Sequence, residues 1–139
     1  MQTFLPLGSF TESAGVLDDK RLGKQRVECL QILNALHNPA YGWQNHPATK
    51  MWCGYEASLI NYGVAVCYEW IGRGHNDTCL PKIDAFRGRI HSINSDCPAW
   101  ITPDLCLSHQ SNLIRKDPNH YRKHFPTTPD NLPYVWPVQ

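Results

Sequence analysis

The stretch WCGYEASLINYGVAVCYEW, residues 52–70, sets Trp52, Tyr55, Leu59, Tyr62, Val66 and Trp70 at steps of three and four. Successive helical side chains turn by about 100°, so this spacing lines one face of a helix. His46-Pro47 upstream suits a helix start, with proline in the first helical position. Gly72 and Gly74 downstream suit a stop. One helix from His46-Pro47 to the glycines is expected.

The same signals recur on both sides. A first helix should begin near Thr11 or Ser13, with Glu12 suited to the positive helix start, and run to about His37 before Asn38-Pro39. A third should open at Thr102-Pro103-Asp104, a cap followed by proline, and close before Pro118. Residues 75–100, with Pro81, Gly88 and Pro98, read as a long irregular loop. The tail from Pro126 to Gln139 holds four prolines and no regular pattern. No alternating strand pattern of useful length occurs. The expected fold is all-α: one compact helical bundle over residues 1–139, with a long loop and an aromatic, proline-rich tail.

Composition agrees with a packed core. The 139 residues are 42% hydrophobic and 18% charged, and include 5 Trp, 6 Tyr and 4 Phe. A chain of this length buries about two-thirds of its unfolded surface. The N-terminal Met1-Gln2-Thr3-Phe4-Leu5-Pro6 has no basic leader, and no run reaches the ~18 apolar residues of a membrane span. A cytoplasmic monomer is expected, with no membrane partner. The six cysteines (29, 53, 67, 79, 97 and 106) have no C-x-x-C spacing and are expected as free, buried thiols. Neither a metal nor a cofactor is expected.

Net charge is only +1, so bulk charge does not announce nucleic acid. The cations are clustered instead: Lys20, Arg21, Lys24 and Arg26; then Lys82, Arg87 and Arg89; then Arg115, Lys116, Arg122 and Lys123. On the first helix, Leu22, Cys29, Leu30, Ile32, Leu33 and Leu36 form an apolar arc, yet Gln25 and Arg26 fall inside it. Uncompensated burial of such groups costs several kcal/mol. Either this end of the helix is solvated, or it lines a pocket into which Arg26 points. Glu28 is then a surface partner of Lys24 at i, i+4, or a functional carboxylate.

The third helix carries Leu105, Cys106, Leu107, Leu113 and Ile114 on one side, with Gln110 the exception. Ser108, His109, Ser111, Asn112, Arg115 and Lys116 lie opposite, and no acid occurs from Leu105 to Lys116. Hydroxyls, an amide and cations are the groups that grip phosphate oxygens, so this is either a phosphate-holding face, pointing to nucleic acid, or an ordinary polar one. His46 is either a structural hydrogen bonder or a pocket residue. Tyr134, Val135 and Trp136 are expected to cover the core, with base stacking as the alternative.

Four segments together resemble the pyrimidine-dimer DNA glycosylase family, the phage endonuclease V type. They are the N-terminal lead into Leu22-Gly23-Lys24-Gln25-Arg26-Val27-Glu28, and His46-Pro47 with Met51-Trp52 and Tyr55-Glu56. The other two are Ser108 to Pro118 with Tyr121, and Asp130 to Pro137. The resemblance implies an all-helical fold whose N-terminal arm brings the α-amino group beside a glutamate of the first helix. It implies that the amine attacks the sugar C1′ to form an imine, that the glutamate assists strand cleavage, and that an arginine holds phosphate. Carried over, these roles fall to Met1 and Gln2 at the arm, Glu28 and Arg26. Arg21, Lys24, Gln25 and His46 join the third-helix residues as DNA contacts.

Two positions depart from the family pattern. The family's Gly-Glu-x-Arg-Glu places its glutamate directly after the arginine, where Val27 stands here, and Glu28 follows one residue later. Gln2 is too large for ordinary methionine removal, so the amine would be that of Met1. The expected activity is therefore base excision from double-stranded DNA bearing a damaged or modified pyrimidine, with or without AP-lyase cleavage. A non-catalytic DNA-binding module and an enzyme acting on free nucleotides or bases are the alternatives.

Overall fold

The computed structural model describes residues 1–90 and 97–138. Among these residues the regular structure is helical throughout, as the sequence predicts. The first expected helix is two. Helix α1 (Phe10–Val16) is capped by Ser9, whose Oγ accepts from the Glu12 amide at 3.2 Å. It stops at Leu17, and α2 (Asp19–His37) starts afresh. The break lies at Asp18, whose amide donates to the Tyr121 hydroxyl at 2.9 Å. That hydroxyl donates in turn to the Asp18 carboxylate, holding residue 18 in extended backbone outside either helix.

The second expected helix also divides, into α3 (Pro47–Lys50) and α4 (Glu56–Gly72). Gly54 between them has φ +86°, the left-handed region that ends a helix and favours glycine. Two prolines mark helix starts, one inside the expected loop and one where the sequence suggested only a helix end. Pro81 sits in the first turn of α5 (Leu80–Asp84), which runs into a 3₁₀ turn at Ala85–Gly88. Here Ile83 and Phe86, three residues apart, are buried. After α6 (Pro103–Lys116), Pro118 opens α7 (Pro118–His124), with Asp117 accepting from the His120 amide at 3.2 Å. Proline lacks an N–H, and the first turn of a helix has no use for one. The remainder of the expected loop, residues 91–96, lies outside the described residues.

Helix α2 packs mainly on α4, and their closest approach depends on Gly63. A Cβ there would lie 2.5 Å from Cys29 Sγ and 3.1 Å from the Ile83 side chain. All six cysteines are free. Cys29, Cys67, Cys79 and Cys106 are buried as expected, whereas Cys53 and Cys97 are exposed. No helix among the described residues is long and apolar enough to cross a membrane.

The arm, residues 1–7, lies in the middle of this assembly. Gln2 to Pro6 are buried without regular structure. Such a segment has no helix or sheet to satisfy its peptide groups, and each buried group left unpaired costs about 1–3 kcal/mol. Side chains supply the partners. Gln25 Oε1 accepts from the Phe4 amide at 2.9 Å, and Gln25 Nε2 donates to the Gln2 carbonyl at 2.9 Å. Tyr62 donates to the Phe4 carbonyl at 2.9 Å, Gln110 to the Pro6 carbonyl at 2.8 Å, and Trp52 to Thr3 Oγ1 at 3.0 Å. His109 Nδ1 accepts from the Leu5 amide at 2.9 Å. Gln25 and Gln110, the two amides that interrupted apolar helix faces, are explained: the faces meet the arm's backbone.

Two measurements probe this packing. Gly63→Ala should lose about 1–3 kcal/mol of unfolding free energy in urea titration, because backbone of α4 and the Cys29 and Ile83 side chains must all shift. His109 should make the fold acid-sensitive. Burial lowers its pKa from 6.5 to about 3, and Nδ1, already accepting from Leu5, has no room for a proton. The unfolded chain binds that proton near pH 6.5, so stability present above that pH declines as pH falls toward 3. The slope approaches about 1.4 kcal/mol per pH unit, and His109→Gln should flatten it.

Candidate active site

The free end of the arm opens into a cleft of about 420 Å³. Met1 and Gln2 form one wall; Arg21, Lys24, Gln25 and Glu28 of α2 form the floor. Lys20 and Lys116 stand at its sides, and Phe4, Tyr134 and Trp136 supply aromatic lining. Glu28 is largely buried, and its Oε2 accepts from the Gln2 amide at 3.2 Å and from Gln25 Nε2 at 3.1 Å. Lys24 Nζ lies 3.8 Å from Oε1. The Lys24 pairing that the spacing allowed is therefore present, but it is one of three contacts on a carboxylate anchored to the arm.

Helical geometry selects this residue. Gln25 and Glu28 are three apart and share the face that meets the arm, whereas Val27 is 44% exposed on another face. Gln2 fixes the register: its amide, carbonyl and side-chain oxygen are all engaged, the last accepting from the Thr3 amide at 2.9 Å. Met1, half-buried, follows from that anchor into the cleft.

A sequence profile of the pyrimidine dimer DNA glycosylase family matches residues 1–82. The chain belongs to this family. Membership makes it a DNA glycosylase, with DNA as its substrate. The matched stretch carries the arm, α2, His46 and the cleft floor, while Lys116, Tyr134 and Trp136 lie beyond it. No curated protein and no solved structure matches the chain significantly.

Several expected site residues stand elsewhere in this glycosylase. Arg26 does not point into the cleft. Its guanidinium pairs with Asp77 at 2.6 Å and lies over the Trp70 ring, 4.5 Å from the centroid. Ser108, His109, Ser111 and Asn112 are buried, out of reach of phosphate. Ser108 Oγ accepts from the Val135 amide at 3.2 Å, and Ser111 Oγ from the Leu132 amide at 2.9 Å. Asn112 donates to the Ser108 carbonyl at 2.7 Å. Arg115 donates to Asn112 Oδ1 and to the carbonyls of Asp130, at 2.6 Å, and Leu132, at 2.8 Å. This face of α6 grips the tail rather than DNA, because donors and acceptors that suit phosphate suit peptide groups equally.

Tyr134 and Trp136, expected as core cover, do cover it but also line the cleft. Tyr134 packs edge-on to His109, with centroids 5.9 Å apart, and Trp136 edge-on to His46 at 6.0 Å. His46 caps α3, its Nδ1 accepting from the Ala48 amide at 3.0 Å. Burial and the N-terminal ammonium lower its pKa, against an opposing pull from Glu28. His46 is thus both the hydrogen bonder and a neighbour of the cleft. Lys20 and Phe4 are cleft residues that sequence reasoning passed over, although Lys20 belongs to the first basic cluster.

Arginines and lysines divide the work. Arg21 pairs with Asp18 at 3.1 Å, Arg87 with Asp84 at 2.7 Å, and Arg122 donates to the Thr128 carbonyl at 2.6 Å. The exposed cations on the cleft are lysines 20, 24 and 116. Lys116→Ala should therefore weaken duplex binding and reduce the slope of log K against log salt by about 0.9 in magnitude, with an unchanged melting temperature. Arg115→Ala should instead destabilise the fold by roughly 1–2 kcal/mol through the loosened tail, read by thermal melting.

Proposed function

We propose that this glycosylase excises a damaged pyrimidine by covalent catalysis, with the α-amino group of Met1 as nucleophile and Glu28 as the carboxylate beside it. The amine forms a bond to C1′ as the C1′–N glycosidic bond breaks and the base leaves. Loss of the ring oxygen's bond to C1′ gives an imine. Glu28 stabilises the positive charge that builds on the sugar, then takes a proton from C2′ as the 3′ phosphate departs. The amine attacks in its neutral form, through the nitrogen lone pair.

The observation that supports this reading most strongly is the Glu28 carboxylate bonded to the Gln2 amide, one peptide unit from the amine, in a cleft edged by lysines. The cleft's aromatic lining suits an unstacked base. A flipped nucleotide costs a few kcal/mol, which phosphate contacts offset.

The test is borohydride trapping on abasic duplex and on duplex with a defined thymine dimer. The expected result is a covalent protein–DNA adduct that an N-terminal extension or acetylation abolishes. Glu28→Gln should bind DNA normally but lower turnover by roughly a hundredfold or more. Base release that survives amine blockage but not Glu28→Gln would replace the amine by water and make the enzyme monofunctional. Full activity in Glu28→Gln overturns the assignment of the carboxylate.

A further inference from the structure

Trp43 is exposed by 55%, and its backbone sits at φ +72°. It is the one non-glycine residue with positive φ among the described residues. A bulky side chain in the left-handed region is strained, and such strain persists where surrounding structure holds it in place. Here the holding is visible. Asn38 closes the segment: its Oδ1 accepts from the Ala40 amide at 3.0 Å, and its carbonyl accepts from Gln44 Nε2 at 2.6 Å. The Trp43 carbonyl accepts from the His46 amide at 3.2 Å, tying the residue to the α3 cap. The protein thus spends stability to hold an indole out in solvent.

Its position gives that arrangement a use. The Trp43 ring meets the His46 ring edge-on with centroids 5.9 Å apart. His46 in turn meets Trp136, which lines the cleft. The other strongly exposed ring, Tyr68 on the outer side of α4, has no such ring contact leading to the cleft. Trp43 therefore projects beside the cleft mouth, two ring contacts from the wall that would receive a base.

We propose that Trp43 is a wedge that enters the duplex and stacks in the gap left when a nucleotide swings out toward the cleft. The proposal rests on the glycosylase reading above. A flipped nucleotide stays tethered to its strand, so the gap it leaves is close to the pocket it enters. An indole already oriented and desolvated on one edge by His46 fills that gap with little further ordering. Stacking does not depend on which base was removed, so Trp43 favours an open duplex without choosing the substrate.

The test needs no catalysis. Equilibrium binding is compared between an intact duplex and the same duplex containing one tetrahydrofuran abasic analogue. Wild type should prefer the gapped duplex. Trp43→Gly should bind intact duplex as wild type does but lose roughly tenfold to a hundredfold of affinity for the gapped one, the scale of one stacked base. Trp43→Phe should keep most of the preference. Glycine adopts φ +72° without strain, so Trp43→Gly should melt no lower than wild type. Absence of binding to either duplex defeats the glycosylase reading itself. Binding without a gap preference, a preference retained in Trp43→Gly, or equal losses on both duplexes overturns the wedge.

Discussion

A buried, irregular segment of backbone must find a partner for every N–H and C=O, and this fold is organised around that demand. Within the arm, the Thr3 amide finds Gln2 Oε1. The arm's other partners are side chains reaching in from three helices: Gln25 from α2, Tyr62 from α4, and His109 and Gln110 from α6. Those bonds fix the arm's register against α2, and the register brings Gln2 and hence Met1 to Glu28. The closeness of the N-terminus to Glu28 is thus a by-product of satisfying buried peptide groups. Tyr62 ties the two requirements together, since its single hydroxyl proton is shared between the Phe4 carbonyl and Gln25 Oε1, 2.7 Å away. One amide side chain is thereby locked between arm and core.

The same economy shapes the electrostatics. Guanidinium groups, with five donors in a planar fork, are used to knit carbonyls and carboxylates inside the protein. Arg115 binds the tail, Arg122 the turn after α7, and Arg26 the segment after α4. Ammonium groups on flexible stems are left facing the cleft. A net charge of +1 therefore understates the positive charge exposed at the cleft, where Lys20, Lys24 and Lys116 stand, although Lys24 also pairs with Glu28.

The helical period of α4 and the cap at Thr102 were legible because each depends on residues within one or two turns, whereas the first cap is Ser9 and not Thr11 or Ser13. What failed were signals with two local meanings. Pro81 and Pro118 punctuate chain equally well as loop residues and as helix starts. Ser108, Ser111 and Asn112 offer the same atoms to a phosphate as to the backbone of residues 132–135. The Arg26–Asp77 pair spans 51 positions, and no local rule finds it. Glu28 was visible as a carboxylate near the family motif, but only the position of the arm distinguishes it from a surface partner of Lys24. Gln25 and Gln110 carried the clearest unread message: an amide inside an apolar arc means that something polar is buried opposite.

The arm's partners also impose an order of assembly. Leu5 bonds to His109 and Pro6 to Gln110, each across 104 positions. On a translating ribosome the first residues to emerge must wait for some of the last before their amides are satisfied, and loops of that span are slow to close. Until α6 arrives, the arm is held only by the earlier part of the chain, through Gln25, Tyr62 and Trp52. A truncated product that lacks α6 would keep the amine and Glu28 yet have two fewer of the bonds that hold them together. The full set of bonds that holds the N-terminus beside Glu28 is in this way complete only when the fold is.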